Sequence, residues 1–333
     1  MHCVSSRSWI TILILGLAPA SHAALREWDG DAQMNNTWIT PDNWVGNVAP
    51  NPGDDLLFQF GARHPNNNNN FPPGTTFNTI ELRGGGMGSS YNISGNSIAF
   101  NAGIHVENNS GSPADHSLNN SLLLNSNQTF FVQNDVGTFS LLGPINLNGK
   151  NLTFDITTGS QAHSDGVISG PGTVIKTGSG TLHINGIQPT TPVLLAAGTL
   201  KGIGTVGTLT SVAVGGPGSA VLSPGGSPGI LTSSNVVLNA SATFNVELNG
   251  TTAGTTYDRL RVTARFRSAT PRSRSRSASS RQSATASRSS TMTAPIPCSA
   301  HSAVCPKGQS SSLRHPRLSC ASPTQAAMAT TWC

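Results

Sequence analysis

The chain has few charged or aromatic residues, and its long central part contains no cysteine. Charged residues make up 10% and aromatic residues 5% of the 333 residues. Cysteine occurs at Cys3, and then only at Cys298, Cys305, Cys320 and Cys333. The intervening region therefore forms neither a disulfide framework nor a thiolate zinc site. Backbone hydrogen bonds and side-chain packing must hold it together.

The net charge of +5 averages two unlike parts. Up to Ala264 the chain has 9 Lys and Arg against 14 Asp and Glu, whereas from Arg265 onward it has 10 Lys and Arg and no acidic residue. The acidic part is rich in patterned Val, Ile, Leu and Thr, which is untypical of a disordered chain. The sequence thus predicts a folded, mildly acidic body followed by a basic tail.

Short apolar runs separated by turn residues fill the body, most clearly between Ile168 and Val262. Runs of three to five β-branched residues or leucines alternate with Gly-Ser, Gly-Thr, Asn-Gly and Pro-Gly pairs. The runs are too short for helices, and glycine and proline recur too often for a helix to propagate. Strands without helical crossovers predict an all-β fold, a right-handed parallel β-helix or β-solenoid, over residues 77–264. We expect strands at 80–82, 91–93, 98–100, 104–106, 122–124, 130–132, 139–141 and 152–156.

The first 23 residues have the pattern of a secretory signal peptide. Arg7 provides the positive charge, Trp9 to Leu17 the apolar run, and Ser21 to Ala23 a small-x-small cleavage site before Ala24. The apolar run is shorter than the roughly 20 residues that span a bilayer as a helix. We therefore expect cleavage, a secreted or cell-surface protein, and no transmembrane segment in the processed chain.

Residues 24–62 are interpreted as an N-terminal capping segment. Trp28, Trp38 and Trp44 lie there, and aromatic side chains can cover the first coil of a solenoid. Leu56 to Phe58 is its expected first buried strand. The next segment, residues 63–76, contains five consecutive asparagines flanked by prolines and is predicted to be an exposed polar loop.

Several of these segments resemble a known family. WDGDAQMNNTWITPDNWVGNVAPNPGDDLLF is similar to the opening of secreted bacterial proteins with autotransporter-associated β-strand repeats. ISGPGTVIKTGSGTLHING, followed by AAGTLKGIGTVGTL, resembles their repeat unit and places a repeat at 168–200. The similarity covers Arg26 to about Thr263 and departs from the family pattern between Ile187 and Pro192. It implies a parallel β-helix exported beyond the inner membrane, and it implies no catalytic residues.

Residues 265–333 are Arg- and Ser-rich and are expected to be disordered. We interpret them as the product of a shifted reading frame, because regrouping each third codon base with the next two bases turns Met292-Thr293 into Asp, Met328-Ala329 into Gly and Trp332-Cys333 into Val. The shifted text resumes a β-strand pattern and resembles the usual ending of the family. The alternatives are a nucleic-acid-binding arm, disfavoured because the run has no aromatic stacking residues, and a disordered tail without a role. Loss of the last coils would leave a strand edge open near residues 257–262.

A β-helix hydrolase or lyase would need carboxylates close together on one face. The candidates are Asp54 with Asp55, Asp115 beside His116, and Asp165 near His163. Asp54 and Asp55 are adjacent and should point to opposite faces of a strand. The other two pairs lie in Gly- and Ser-rich surroundings and are interpreted as solvated turns. The sequence accordingly predicts no catalytic, cofactor-binding or metal-binding residue.

Two functional hypotheses remain at this stage. The first is a structural or adhesin-like surface protein without catalytic activity, whose partners are cell-surface polysaccharide or other surface proteins and not nucleic acid. The second is a carbohydrate-active β-helix protein that binds or degrades polysaccharide. Clustering of Asp54, Asp115 and Asp165 with a basic residue in one groove would favour the second, and their dispersal would favour the first.

Overall fold

The structure is a computed structural model that describes residues 23–84, 90–108, 114–133, 137–212 and 220–268. The predicted signal peptide, apart from Ala23, and the tail from residue 269 lie outside the described residues. In the described part the elements are strands and one short 3₁₀ helix, Pro41–Asn43. No helix among these residues is long and apolar enough to cross a membrane.

Parallel strands build two sheets, which we name sheet A and sheet B. Sheet A contains β1 Leu25–Trp28, β2 Asp55–Phe58, β4 Thr75–Gly84, β6 Ile98–Asn108, β8 Leu122–Leu124, β9 Gln128–Gln133, β11 Ile145–Asn146, β12 Leu152–Ile156, β14 Ile168–Ser169, β15 Val174–Thr177, β17 Ile187–Gln188, β18 Val193–Leu195, β20 Thr205–Ser211, β22 Ile230–Leu238 and β24 Arg259–Ser268. Sheet B contains β3 Asn66–Asn69, β5 Asn92–Gly95, β7 Asp115–Leu118, β10 Thr138–Leu141, β13 Gln161–Ser164, β16 Thr181–Ile184, β19 Thr199–Lys201, β21 Val221–Leu222 and β23 Thr243–Phe244.

The strand order shows a solenoid. Sheet A runs β1-β2-β4-β6-β9-β12-β15-β18-β20-β22-β24, and sheet B runs from β3 to β23 in chain order. The chain therefore visits the two sheets alternately and lays each coil beside the previous one. The predicted strands fall within observed ones except 91–93, whose first residue, Tyr91, precedes β5; the all-β, parallel solenoid is confirmed. β-branched and leucine side chains suit this fold because each strand has one face buried.

The core is a stack of side chains in register between coils. Leu56, Ile80, Ile104, Phe130 and Phe154 occupy successive positions of one inward column of sheet A, and all are buried. Each side chain covers the one before it, so a single coil cannot bury its own apolar face. The next residue in this column is a lysine, Lys176.

A column of glycines marks one corner of the solenoid. A Cβ atom added to Gly143, Gly166, Gly186 or Gly204 would lie 2.0–2.2 Å from a carbonyl oxygen of the preceding coil. Coils at this corner approach so closely that only glycine fits. The Gly-rich punctuation of the sequence is therefore a packing requirement at these four positions.

The N-terminal end is filled by aromatic rings. Trp28, Trp38 and Trp44 are buried; Trp28 and Trp44 meet edge to face with ring centroids 5.2 Å apart, and all three contact Phe58. β2 is the first strand with most of its residues buried, and the more exposed β1 precedes it. The indole nitrogens of Trp38 and Trp44 donate to Asn67 Oδ1 at 2.8 Å and to the Trp38 carbonyl at 2.7 Å. The rings thus bury area without leaving these donors unpaired.

The predicted exposed loop at 63–76 is wrong in its central part. Asn66–Asn69 form β3, which pairs in parallel with β5, and Asn67 and Asn69 are buried. Asn69 Nδ2 donates to the carbonyl of Asn96 at 3.0 Å, and Asn67 accepts the bond from Trp38. A parallel ladder uses backbone groups, so a strand of asparagines forms once a neighbouring coil satisfies the buried amides.

The expected start of disorder at Arg265 is also wrong for four residues. β24 continues to Ser268, and its pairs with β22 run from Asn235–Arg265 to Leu238–Ser268. Phe266 is partly buried against the core, whereas Arg265 and Arg267 on the other side of the strand are both exposed. The alternation Arg-Phe-Arg therefore fits the pleat of the preceding coil. β24 is the last strand of sheet A among the described residues.

Candidate functional site

A group of polar and charged side chains lies on the outer face of sheet A, across three successive strands. Glu81, His105 and Phe131 are in register on β4, β6 and β9. Arg83, Glu107 and Gln133 follow two residues later on the same strands. Alternate residues of a strand share a face, so all six side chains are neighbours. We call this group the charged patch: Glu81, Arg83, His105, Glu107, Phe131 and Gln133.

Arg83 joins the two carboxylates of the charged patch. Its Nε lies 2.7 Å from Glu81 Oε1 and 3.1 Å from Glu107 Oε1. The Arg83 side chain is 34% exposed and the Glu107 side chain 13% exposed, so the pairs are partly shielded from water. The pair with Glu81 lies within β4, whereas the pair with Glu107 joins β4 to β6. Such ion pairs stabilise a sheet modestly and fix the side chains in place.

His105 lies between the same two carboxylates. Its Nδ1 is 3.7 Å from Glu81 Oε1 and its Nε2 is 3.8 Å from Glu107 Oε2. Gln133 Nε2 is 2.9 Å from His105 Nε2 and 3.0 Å from Glu107 Oε2. Because an amide nitrogen carries two protons, Gln133 can donate to both groups when that imidazole nitrogen is unprotonated. Phe131 covers one side of the His105 ring, with centroids 5.3 Å apart.

The ligand atoms of Glu81, His105 and Glu107 lie within 4.8 Å of one another, which is a spacing compatible with a metal ion. The Arg83 guanidinium contacts both carboxylates, however, and already supplies a positive charge there. A metal ion bound here would either have to displace the Arg83 guanidinium or be repelled by it. The arrangement fits recognition of a polar ligand by hydrogen bonds better than it fits a resident cation.

The adjacent acids Asp54 and Asp55 have separate structural roles. Asp54 is buried, and Asp55 accepts hydrogen bonds from Asn78 Nδ2 and Thr79 Oγ1 of the next coil. Burial opposes ionisation of Asp54, but backbone N–H groups and the Arg26 guanidinium outweigh it and lower the pKa of this carboxyl. A carboxylate with its lone pairs engaged in this way is a poor candidate for a catalytic acid.

The interpretation of Asp115 and His116 as a solvated turn is wrong. Both belong to strand β7, where Asp115 is exposed and His116 is buried. His116 Nδ1 accepts the backbone N–H of Tyr91 at 3.2 Å, and the two rings stack. Burial lowers the pKa of His116 to about 4, although the charge of Asp115 opposes this. His116 is therefore a neutral core residue.

His163 also belongs to a strand, and Asp165 follows the end of that strand. His163 of β13 stacks on His183 of β16 with centroids 4.3 Å apart, and Lys201 of β19 is next in register. Burial lowers the pKa of His183 to about 4, and the neighbouring His163 and Lys201 add to this effect. Burial likewise lowers the pKa of His163. Asp165 accepts a hydrogen bond from Asn185 Nδ2 at 2.7 Å.

The three candidate acids are dispersed. Asp54 precedes β2 of sheet A, Asp115 begins β7 of sheet B, and Asp165 follows β13, two coils further on. The clustering in one groove that the carbohydrate-active hypothesis required of these three acids is therefore not observed.

Sequence reasoning missed the charged patch, although the sequence contains a signal for it. Residues 81 and 105, and residues 83 and 107, are each 24 apart, and Glu-Leu-Arg is followed one coil later by His-Val-Glu. Once the coil length is recognised, the two triplets are predicted to lie side by side on neighbouring strands. The single charges, viewed without the coil period, gave no indication of their neighbours.

Lys176 was missed as well. It is fully buried below Phe154 and above Leu195 in the core column, and its Nζ donates to the carbonyls of Thr177, Gly178 and Ala197. Burial lowers the pKa of Lys176 to about 7, while the charge of Asp155 opposes this. The three carbonyls match the three protons of an ammonium group. Lys176 therefore joins two coils from inside the solenoid.

Comparison with known proteins adds no assignment. No protein-family model, no curated protein and no solved structure matches this chain.

Proposed function

We propose that the chain is an exported structural protein of the cell surface, adhesin-like, which binds surface polysaccharide or other surface proteins and has no catalytic activity. The observation that carries this proposal is the outer face of sheet A, where polar side chains of successive coils stand in register. A stack of coils fixes such side chains on a rigid surface, which reduces the entropy lost on binding.

The charged patch supports binding in particular. Its two carboxylates, its guanidinium and its amide offer donors and acceptors in fixed positions, and Phe131 adds a partly exposed ring. Sugars present hydroxyl groups together with apolar ring faces, so a polar surface beside an aromatic ring matches their chemistry. We therefore place polysaccharide binding at this patch.

Export is tested by localisation of the chain in a Gram-negative host. Protease added to intact cells should degrade the protein, and N-terminal sequencing of the exported form should show a processed chain. A protein that remains in the cytoplasm with its first 23 residues attached would contradict the proposal.

Binding is tested with immobilised neutral and uronic-acid polysaccharides. Phe131→Ser together with Gln133→Ala should weaken retention at least tenfold, because the changes remove the ring and an amide from the patch. Thr181→Ala on the outer face of sheet B is the matched control and should bind like the parent. Equal retention of all three proteins would place binding elsewhere.

A carbohydrate-active enzyme is the second candidate, because Glu81 and Glu107 contact one guanidinium on the same face. Two carboxylates on one face are what glycoside hydrolysis requires. Release of new reducing ends from a polysaccharide, abolished by both Glu81→Gln and Glu107→Gln, would establish this alternative. Binding without release of reducing ends supports the first proposal.

A further inference from the structure

Asp54 has a shielded carboxylate that accepts three hydrogen bonds beside β1. Its Oδ2 accepts from Arg26 Nε at 3.0 Å and from the backbone N–H of Asn51 at 2.9 Å. Its Oδ1 accepts from the backbone nitrogen of Ala24 at 3.0 Å. The side chain of Asp54 is 9% exposed. Arg26 thus engages one oxygen, and Ala24 engages the other.

Ala24 also contacts β2 through its backbone, directly before β1. The backbone N–H of Asp55 donates to the Ala24 carbonyl at 2.9 Å, and β1 starts at Leu25, paired with Asp55. Ala23, one residue earlier, is exposed. The predicted cleavage position therefore lies directly before β1, the first strand among the described residues.

We propose that Asp54 is the binding site for the processed N-terminus of this chain. Hydrolysis of the Ala23–Ala24 peptide bond by a signal endopeptidase consumes one water and leaves a carboxylate on Ala23 and an ammonium group on Ala24. That ammonium forms an ion pair with Asp54 Oδ1. The inference rests on the proposed export, since export supplies the cleavage.

The change at the Ala24 nitrogen explains why cleavage strengthens its bond to Asp54. Before cleavage it is an amide nitrogen with one proton and no charge, and afterwards it has three protons and a positive charge. A charge-assisted hydrogen bond to a carboxylate is about twice as strong as a neutral one. Partial burial of Asp54 reduces screening by water and salt. Processing therefore fixes the first strand of sheet A more firmly than the precursor can.

The experiment compares two chains that both end at Cys333. One begins at Ala24, and the other carries Gly-Ser before Ala24, which moves the free amine away from Asp54 and preserves every side chain. The pKa of the N-terminal amine is measured by amine labelling across pH, with mass spectrometry of the N-terminal peptide. An unpaired α-amino group has a pKa of about 8. We expect a rise of about one unit, or a tenfold lower labelling rate at a given pH, in the Ala24 chain only.

Side-chain variants distinguish an ion pair with Asp54 from shielding of the N-terminal amine by its surroundings in general. Asp54→Asn should return the pKa of the Ala24 amine to about 8, while Asp31→Asn, an exposed acid of the same segment, should leave the raised pKa unchanged. If Asp54→Asn does not fold, the Gly-Ser chain still decides, because it should have a lower Tm than the Ala24 chain. Equal amine pKa values and equal Tm values in the two chains would overturn the proposal.

Failure of the proposed function gives a different result. Purified protein that is prepared with Ala24 as its first residue tests the ion pair without any export step. A raised pKa in that chain, with no export in cells, would refute the function and leave the Asp54 site in place. Export with cleavage at another residue would overturn the site and leave the function in place.

Discussion

Replacement of Lys176 by methionine gives the most informative change of stability with pH. The native pKa of this lysine is about 7, against 10.5 for an ordinary lysine, because burial disfavours its charge. Between these values the unfolded chain holds a proton that the native chain does not. Stability of the parent therefore rises with pH across this window and stops rising near pH 10.5.

The shift fixes the size of the effect. One pKa unit corresponds to about 1.4 kcal/mol, so between pH 7 and pH 9 the parent should gain about 2–3 kcal/mol relative to Lys176→Met. The whole window is worth about 4–5 kcal/mol. Methionine cannot titrate, and other groups contribute equally to both proteins, so the difference between them isolates Lys176.

The assay is urea unfolding followed by far-ultraviolet circular dichroism at several pH values from about 5 to 9. The difference in unfolding free energy should be constant below about pH 6 and should then move in favour of the parent. Lys150→Met, which removes a lysine outside the core, is the control. A difference that stays flat from pH 6 to pH 9 would refute the burial of a titrating ammonium in the core column.

Three further changes test other parts of the account. His116→Leu should remove a pH dependence of stability in the acid range, because the native pKa of His116, about 4, lies below the ordinary 6.5. As the pH falls from 7 to 4, urea unfolding should show the parent losing about 3 kcal/mol of unfolding free energy relative to the variant. Gly166→Ala should lower stability by about 1–3 kcal/mol, because its Cβ would lie 2.0 Å from a carbonyl oxygen of the coil before it. Gly226→Ala is the control, since its Cβ would meet only a methyl group at 3.8 Å. Equal Tm values for the two variants would argue against the close approach of the coils at this corner. Trp38→Phe should lower the free energy of unfolding by about 1–5 kcal/mol, since it leaves the buried Asn67 Oδ1 without its donor. In thermal unfolding, the combined effect of Trp38→Phe and Asn67→Leu should be smaller than the sum of the two single effects.

The repeated apolar runs predicted the solenoid because strands of this fold are short and bury one face. Ile80, Phe130 and Phe154 lie in the core column as that pattern requires. Local composition was sufficient for these strands, since each apolar residue signals its own burial.

Polar strands could not be predicted in the same way. Asn67 and His116 are buried because the neighbouring coil supplies hydrogen-bonding partners, and those partners lie about one coil away in sequence. Lys176 is buried for the same reason, with Ala197 of the next coil among its acceptors. The local sequence contains no trace of such partners, because they depend on the register between coils.

The charged patch shows the same limit. Glu81 shares β4 with Arg83, but Glu107 is distant in sequence and reaches Arg83 only through the parallel pairing of β4 with β6. The acids that did stand out, such as Asp54, are used to hold the backbone of the first coils. A conspicuous acid is thus no guide to function until its partners are known.

The central claim, coils stacked in register, is tested most directly by distances between spin labels on one outward column. Thr79, Thr129 and Thr210 belong to a column of sheet A in which Thr129 is two strands from Thr79 and four from Thr210. With neighbouring strands about 4.8 Å apart, the backbone separation should be about 19 Å for the 129–210 pair and about 29 Å for the 79–210 pair. Pulsed electron paramagnetic resonance should give two narrow distributions whose means differ by about 10 Å. Equal means, or a shorter distance for the 79–210 pair, would contradict the stacked coils.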